Sequence, residues 1–184
     1  MGQYRARDLL LLPNILSAAR LPLGVAFVYA LERPWLALCV LVISGLSDVF
    51  DGWYARKYGQ ATPTGAVVDG VCDKTFTAIV VLSLIARGAF TWSDAILLAT
   101  RDLLELPLVL WWALHRRKRQ ARARAPMANR LGKLATVFQF ATICAALFHH
   151  PLKRPILFAT ALMGLVAAVS YWRRELGAGS GARG

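Results

Sequence analysis

The chain has 184 residues, 57% of them apolar and only 17% charged, and its mean hydropathy is +0.48. That excludes an ordinary soluble domain, because the apolar residues gather into runs of about 20, the length that crosses a bilayer core as helix. The net charge of +12, from 22 Lys and Arg against 10 Asp and Glu, fits the loops on the cytoplasmic side of a membrane protein better than nucleic-acid binding.

In chain order, Met1–Asp8 is polar and no small-residue cleavage site follows the first apolar run, so the start does not read as a cleaved signal. The leucines and arginines of "QYRARDLLLLPNILSAARLP" suggest a short N-terminal interfacial helix, ended by Pro13-Asn14. Six apolar spans follow, near 14–32, 35–57, 65–87, 93–115, 132–149 and 152–172. The expected fold is therefore all-α and polytopic, with six transmembrane helices in one domain, 1–176, and a flexible tail, 177–184. Arg5, Arg7, Arg56, Lys57, Arg173 and Arg174 fall on one side of this layout, as does Arg116–Arg130, which holds seven basic residues and no acid. Basic loops stay inside, so both termini are expected to be cytoplasmic, with the basic loop near anionic headgroups. Trp53, Trp92, Trp111, Trp112 and Trp172 sit near span ends as interfacial anchors. Cys39, Cys72 and Cys144 lie in apolar runs without metal-ligand spacing, as small packing residues, and His149-His150 reads as a loop.

Against this apolar background four aspartates fall close together: Asp48, Asp51, Asp69 and Asp73. The spacings of three and four put each pair on one helix face, and the short connection "KYGQATPT" makes the two helices antiparallel neighbours. The pairs then face one another across a cleft. Four ionised carboxylates so placed repel, so either some are protonated or divalent cations lie between them. An all-oxygen ligand set favours hard ions, Mg²⁺ or Mn²⁺, and such ions grip a diphosphate. The plainer reading pairs the aspartates with Arg56, Lys57 and Lys74 as interface charges. Gly52 and Gly65 clear space beside the carboxylates, and Arg56 supplies a fork of donors for phosphate.

The pattern Asp48-x-x-Asp51-Gly52-x-x-Ala55-Arg56, then Gly65-x-x-x-Asp69-x-x-x-Asp73, resembles the complete signature of the CDP-alcohol phosphatidyltransferases. The resemblance implies that Asp48, Asp51, Asp69 and Asp73 ligate two divalent ions on the CDP diphosphate, with Asp73 as general base. It also implies that Asp48, Asp51, Gly52, Ala55, Arg56, Gly65 and Asp69 bind the CDP moiety, and that the protein is a homodimer. "LPNILSAARLPLG", "TRDLLE" and "LGKLATVFQF" are similar to segments of the phosphatidylglycerophosphate synthase and cardiolipin synthase branch, which uses CDP-diacylglycerol as donor. The expected reaction is phosphatidyl transfer to glycerol 3-phosphate with release of CMP, in phospholipid biosynthesis. Two departures stand out: Ala135 replaces a second lysine frequent in glycerophosphate users, and Gly70 follows Asp69 where the branch usually has proline. They keep phosphatidylglycerol, inositol phosphate and other polyols open as acceptors.

Arg101, Asp102, Lys133 and Thr136 are the acceptor-site candidates. Arg101, Asp102 and Glu105 equally suit a self-contained ion cluster, and Thr136 and Gln139 equally suit helix–helix bonds. Asn14 and Arg20 read as lesser candidates for a headgroup contact. The reading from another class is a cation transporter or channel, since acidic clusters also mark ion pathways.

Overall fold

The computed structural model describes residues 11–60, 62–105, 107 and 130–180. The interfacial helix expected ahead of residue 11, the end of the fourth expected span, the basic stretch up to residue 129 and the final four residues lie outside the described residues. Among the described residues every regular element is a helix. They are α1 (Leu12–Ala18), α2 (Arg20–Ala30), α3 (Pro34–Lys57), α4 (Pro63–Ala86), α5 (Trp92–Leu98), α6 (100–105), α7 (Arg130–Leu147) and α8 (Lys153–Ser180). The described residues divide into two compact units at Ala89/Phe90.

In the first unit, Pro13 opens α1 within its first turn, where a missing N–H goes unnoticed. Pro22 then has no N–H to offer the carbonyl of Ala18, and the helix breaks at Ala19 into α1 and α2. Both α1 and α2 pack on α3 and α4. The buried side chains Phe27, Leu41, Phe76, Val80 and Leu84 form the apolar part of this core. α3 and α4 each run 24 residues, about 36 Å of helix, enough for a core of about 30 Å. Between them the chain turns in a few residues. Gly59 takes φ +65, and the Gln60 N–H returns to the Ala55 carbonyl at 2.9 Å, the bond that closes a left-handed helix cap. Thr62 caps α4 by accepting the Gly65 N–H at 3.0 Å. This turn brings the aspartate-bearing ends of α3 and α4 together, although the two helices pack on α1 and α2 and scarcely on each other, where the sequence predicts direct neighbours.

In the second unit, Thr91 and Asp94 form a reciprocal capping box at the start of α5, and Asp94 also meets Lys153 at 3.6 Å. α7 packs on α8, and the buried hydroxyls of Thr142 and Thr160 bond across them at 2.7 Å. α5 and α6 reach α8 through Gly164: a Cβ there would lie 3.1 Å from the backbone N of Arg101.

Among the described residues three stretches are long and apolar enough to cross a membrane: Leu12–Ala30, Pro34–Lys57 and Lys153–Arg173. They correspond to the first, second and sixth expected spans. α7 is apolar but shorter over Leu131–Leu147, and α4 matches α3 in length but carries Asp69, Asp73 and Lys74. Large apolar side chains such as Val25, Ile43, Val49, Phe158 and Leu162 point outward, as expected of surfaces solvated by acyl chains. α8 continues through residues 177–180, where sequence reading starts the flexible tail. No proline interrupts that stretch, so its amides can keep bonding four residues back.

Gly164→Leu is expected to force α8 off the Arg101 backbone, costing about 1–3 kcal/mol of overpacking, read as a lower thermal midpoint in detergent. Gly45→Ala, whose Cβ meets nothing within 4 Å, is the control and should hold or raise the midpoint.

Candidate active site

Asp48 and Asp51 lie one turn apart on α3, and Asp69 and Asp73 one turn apart on α4. One oxygen from each of Asp48, Asp51 and Asp69 falls within 4.8 Å of the other two. Asp73 is outside this group. It stands half-buried a turn further along α4, within the electrostatic reach of Asp48, Asp69, Arg20 and Lys74.

The three converging carboxylates share one cationic partner, Arg20. Its Nη2 lies 2.6 Å from Asp48 Oδ1 and 2.8 Å from Asp51 Oδ2, and its Nη1 lies 3.0 Å from Asp69 Oδ1. The Arg20 side chain is 1% exposed and Asp51 5%, whereas Asp48 at 53% and Asp69 at 46% open outward. Ser17, one turn before Arg20 and also buried, has its hydroxyl within reach of the Pro13 carbonyl, Asp51 Oδ2 and Asp69 Oδ1 at 3.0, 3.1 and 3.2 Å. Arg20 is therefore a member of the cluster. A charge inside an apolar span needs a partner, but only the packing of α1 and α2 against α3 and α4 says which. Ser17 carried no sequence signal beyond sharing a helix face with Arg20.

Of the basic residues near the motif, Lys74 lies within electrostatic reach of Asp73, while Lys57 and Arg56 turn to other groups. Lys57 Nζ sits 4.5 Å from the Trp53 ring centroid and 5.6 Å from that of Tyr58. Arg56 folds back over Gly52, where an added Cβ would stand 3.3 Å from its Nη1.

Beside the cluster lies a cavity of about 170 Å³. Asp51, Gly52, Ala55, Arg56, Gly65 and Asp69 line it, which is every motif position expected to hold the nucleotide except Asp48. The lining extends to Pro13, Asn14 and Ser17 from α1, Gln60 and Thr62 from the α3–α4 turn, and Ala66 from α4, which sequence reading did not assign to the pocket. Gln60 brings a buried amide oxygen with no partner. Gly65 is required by space: a Cβ would approach Asn14 Oδ1 to 2.5 Å and Thr62 Oγ1 to 3.1 Å.

The donor set fits a hard divalent ion. It is all oxygen, its members converge within the spread of one coordination sphere, and negative charge remains in excess after Arg20 is counted.

In the second unit the structure joins two of the acceptor candidates. Arg101 Nη1 donates to Thr136 Oγ1 and to the Gly132 carbonyl, each at 3.0 Å, while its Nε donates to Glu105 at 3.0 Å. Asp102 is half-buried and within electrostatic range of Arg101, and Lys133 is exposed. Arg101 thus takes part in an ion pair and also presents a guanidinium edge on α7.

Comparison with known proteins agrees with this geometry. The pattern of the CDP-alcohol phosphatidyltransferase family matches residues 10–172. A Mycobacterium tuberculosis protein named "Probable phosphatidylglycerophosphate synthase" is 30% identical over 184 residues, covering 90% of this chain and 81% of that protein. The Streptomyces coelicolor cardiolipin synthase (CMP-forming) is 34% identical over 137 residues, 69% of this chain and 60% of its own length. An Aquifex aeolicus CDP-diacylglycerol–glycerol-3-phosphate 3-phosphatidyltransferase is 42% identical over 73 residues, 39% of this chain and 41% of its own. The chain belongs to the CDP-alcohol phosphatidyltransferase family, a family of enzymes, and the ion-pathway reading falls away.

Gly65→Ala is expected to push Asn14 into the cavity and weaken protection by CDP about tenfold or more, as close packing around a ligand requires. Thermal-shift titration of the purified chain with CDP reads this directly.

Proposed function

Taking that membership as premise, we propose that the chain transfers the phosphatidyl group of CDP-diacylglycerol to glycerol 3-phosphate, giving phosphatidylglycerophosphate and CMP. The observation that supports this most is the coincidence of three converging carboxylates with a cavity lined by Gly52, Ala55, Arg56 and Gly65. Such a pocket is shaped to take a nucleotide whose diphosphate ends at the carboxylates. In this reading Asp48, Asp51, Asp69 and Asp73 hold Mg²⁺ or Mn²⁺. Two such ions, when bound, offset the charge of the diphosphate and of the departing CMP.

The protein's own groups carry the rest. Gly52 and Gly65 admit the nucleotide against backbone, and Arg56 turns from its place over Gly52 to a phosphate oxygen. Asp73, apart from the three carboxylates tied to Arg20, takes the proton of the attacking hydroxyl. The acceptor oxygen bonds to the phosphorus that bears the diacylglycerol. The bond from that phosphorus to the bridging oxygen breaks, and CMP leaves with the electron pair. Arg101, Asp102, Lys133 and Thr136 hold the acceptor, with the cations on its phosphate and Asp102 on a hydroxyl.

Two of the three relatives described above carry names for glycerophosphate chemistry, which favours glycerol 3-phosphate. Ala135 favours the second reading, a cardiolipin-synthase-type transfer to phosphatidylglycerol, because it removes one cation for a free acceptor phosphate. Six spans, one domain over 1–176, a homodimer, and termini and active site on the cytoplasmic side complete the proposal. The basic residues at 56–57, 116–130 and 173–174 support that sidedness.

The test is CMP release by the purified chain in detergent, with CDP-diacylglycerol, Mg²⁺ or Mn²⁺, and glycerol 3-phosphate, phosphatidylglycerol or inositol phosphate in separate reactions. Release should depend on glycerol 3-phosphate and fall at least about 100-fold in Asp73→Asn, the typical contribution of a general base. Release driven by phosphatidylglycerol alone would transfer the proposal to the second reading. Full activity in Asp73→Asn would remove that residue as base.

A further inference from the structure

We propose that Arg20 is a built-in counter-cation of the metal carboxylates, one that holds them in register, yields them to the divalent ions and turns to the donor's diphosphate. This deepens the metal-and-nucleotide reading above and rests on it. The geometry carries the proposal. One buried guanidinium bonds Asp48, Asp51 and Asp69 at 2.6–3.0 Å, and these are the three residues whose oxygens converge within 4.8 Å. Each carboxylate has two oxygens and both cations need them. A divalent ion such as Mg²⁺ draws its oxygens in to about 2.0–2.1 Å, closer than a guanidinium can stand. A doubly charged ion packed against the guanidinium would also repel it strongly. Arg20 and the ions therefore compete for the same groups.

Arginine does not resolve that competition by losing its proton, because its guanidinium stays charged in proteins. Once displaced inside this unit it needs another anion. Ser17, Asp51 and Asp69, all in contact with Arg20 or beside it, also line the nucleotide cavity, so a diphosphate there arrives within a side-chain rotation of the guanidinium. Arg20 Nε is buried with no partner, a donor still free to be used. The guanidinium fork suits phosphate oxygens as well as carboxylates. Arg20 is thus a positioning residue that couples two ligands: it weakens binding of the ion alone, and donor and ion together release it into a better place. By linkage each ligand then tightens the other.

The test measures Mn²⁺ binding to the full metal-stripped chain in detergent, by the paramagnetic resonance of free Mn²⁺, with and without CDP. The unsubstituted chain should bind Mn²⁺ about tenfold tighter with CDP present, within the usual range of coupling between sites. Arg20→Gln, neutral but still able to donate one bond, should bind Mn²⁺ alone about tenfold tighter than the parent and lose most of the gain from CDP. Arg20→Lys keeps the charge but lacks the fork, and serves if the neutral variant does not fold. It should bind Mn²⁺ alone several-fold tighter (roughly two- to fivefold, a fraction of the neutral variant's gain) with a reduced CDP gain. Weaker Mn²⁺ binding in these variants, or unchanged affinity and unchanged CDP gain, would make Arg20 a brace only and overturn the proposal. Absence of Mn²⁺ binding in the unsubstituted chain, with or without CDP, would overturn the metal reading and this inference together.

Discussion

A guanidinium sealed among three carboxylates, inside a unit built from apolar helices, is the interaction on which the rest of this structure depends. Arg20 comes from α2, Asp48 and Asp51 from α3, and Asp69 from α4, so the charges tie three helices of the first unit together, and the Ser17 hydroxyl adds α1. Removing one partner of a buried ion pair typically costs about 3–5 kcal/mol. The half-exposed Asp48 and Asp69 contribute less than that, because solvent screens them. The arrangement makes a poor argument for stability and a good one for placement. Apolar faces can slide along one another, whereas an arginine fork on three named oxygens fixes depth and register.

That placement is what the chemistry requires. Oxygens that converge within 4.8 Å suit a hard cation, and the cavity beside them is lined by Gly65 and Gly52, where a Cβ would crowd Asn14 and Arg56. The local devices serve the same end. Gly59 and Thr62 make the tight turn that brings the aspartate-bearing ends of α3 and α4 together, and Pro22 breaks the first helical pair where Arg20 begins its second half. In the second unit Arg101 does comparable work on a smaller scale, tying α6 to α7 through Gly132 and Thr136.

Much of this was legible from residues alone. The three- and four-residue spacings put each aspartate pair on one face, which follows from local geometry, whereas the short link suggests direct neighbours, and α3 and α4 pack chiefly on α1 and α2. The helical class and three of the spans follow equally from apolar runs. The partner of those aspartates was not legible. Arg56 and Lys57 are nearer in sequence, yet Arg20 is the residue that meets Asp48, Asp51 and Asp69, since α1 and α2 fold across α3 and α4 and no periodicity encodes that choice. Gln60 and Asn14 entered the pocket for the same reason: a turn and a neighbouring helix put them there. The extension of α8 into the expected tail escaped a reading based on glycine content, because a helix already formed keeps adding bonds until something stops it.

The measurement closest to the central claim is phosphorus hyperfine coupling to Mn²⁺ bound by the full chain with CDP, recorded by electron–nuclear double resonance. The account predicts a coupling that reports phosphate directly on the ion, lost when Asp51 or Asp69 is changed to asparagine. Bound Mn²⁺ with no phosphorus coupling, or coupling that survives both substitutions, would mean that these carboxylates do not hold the ion that holds the nucleotide.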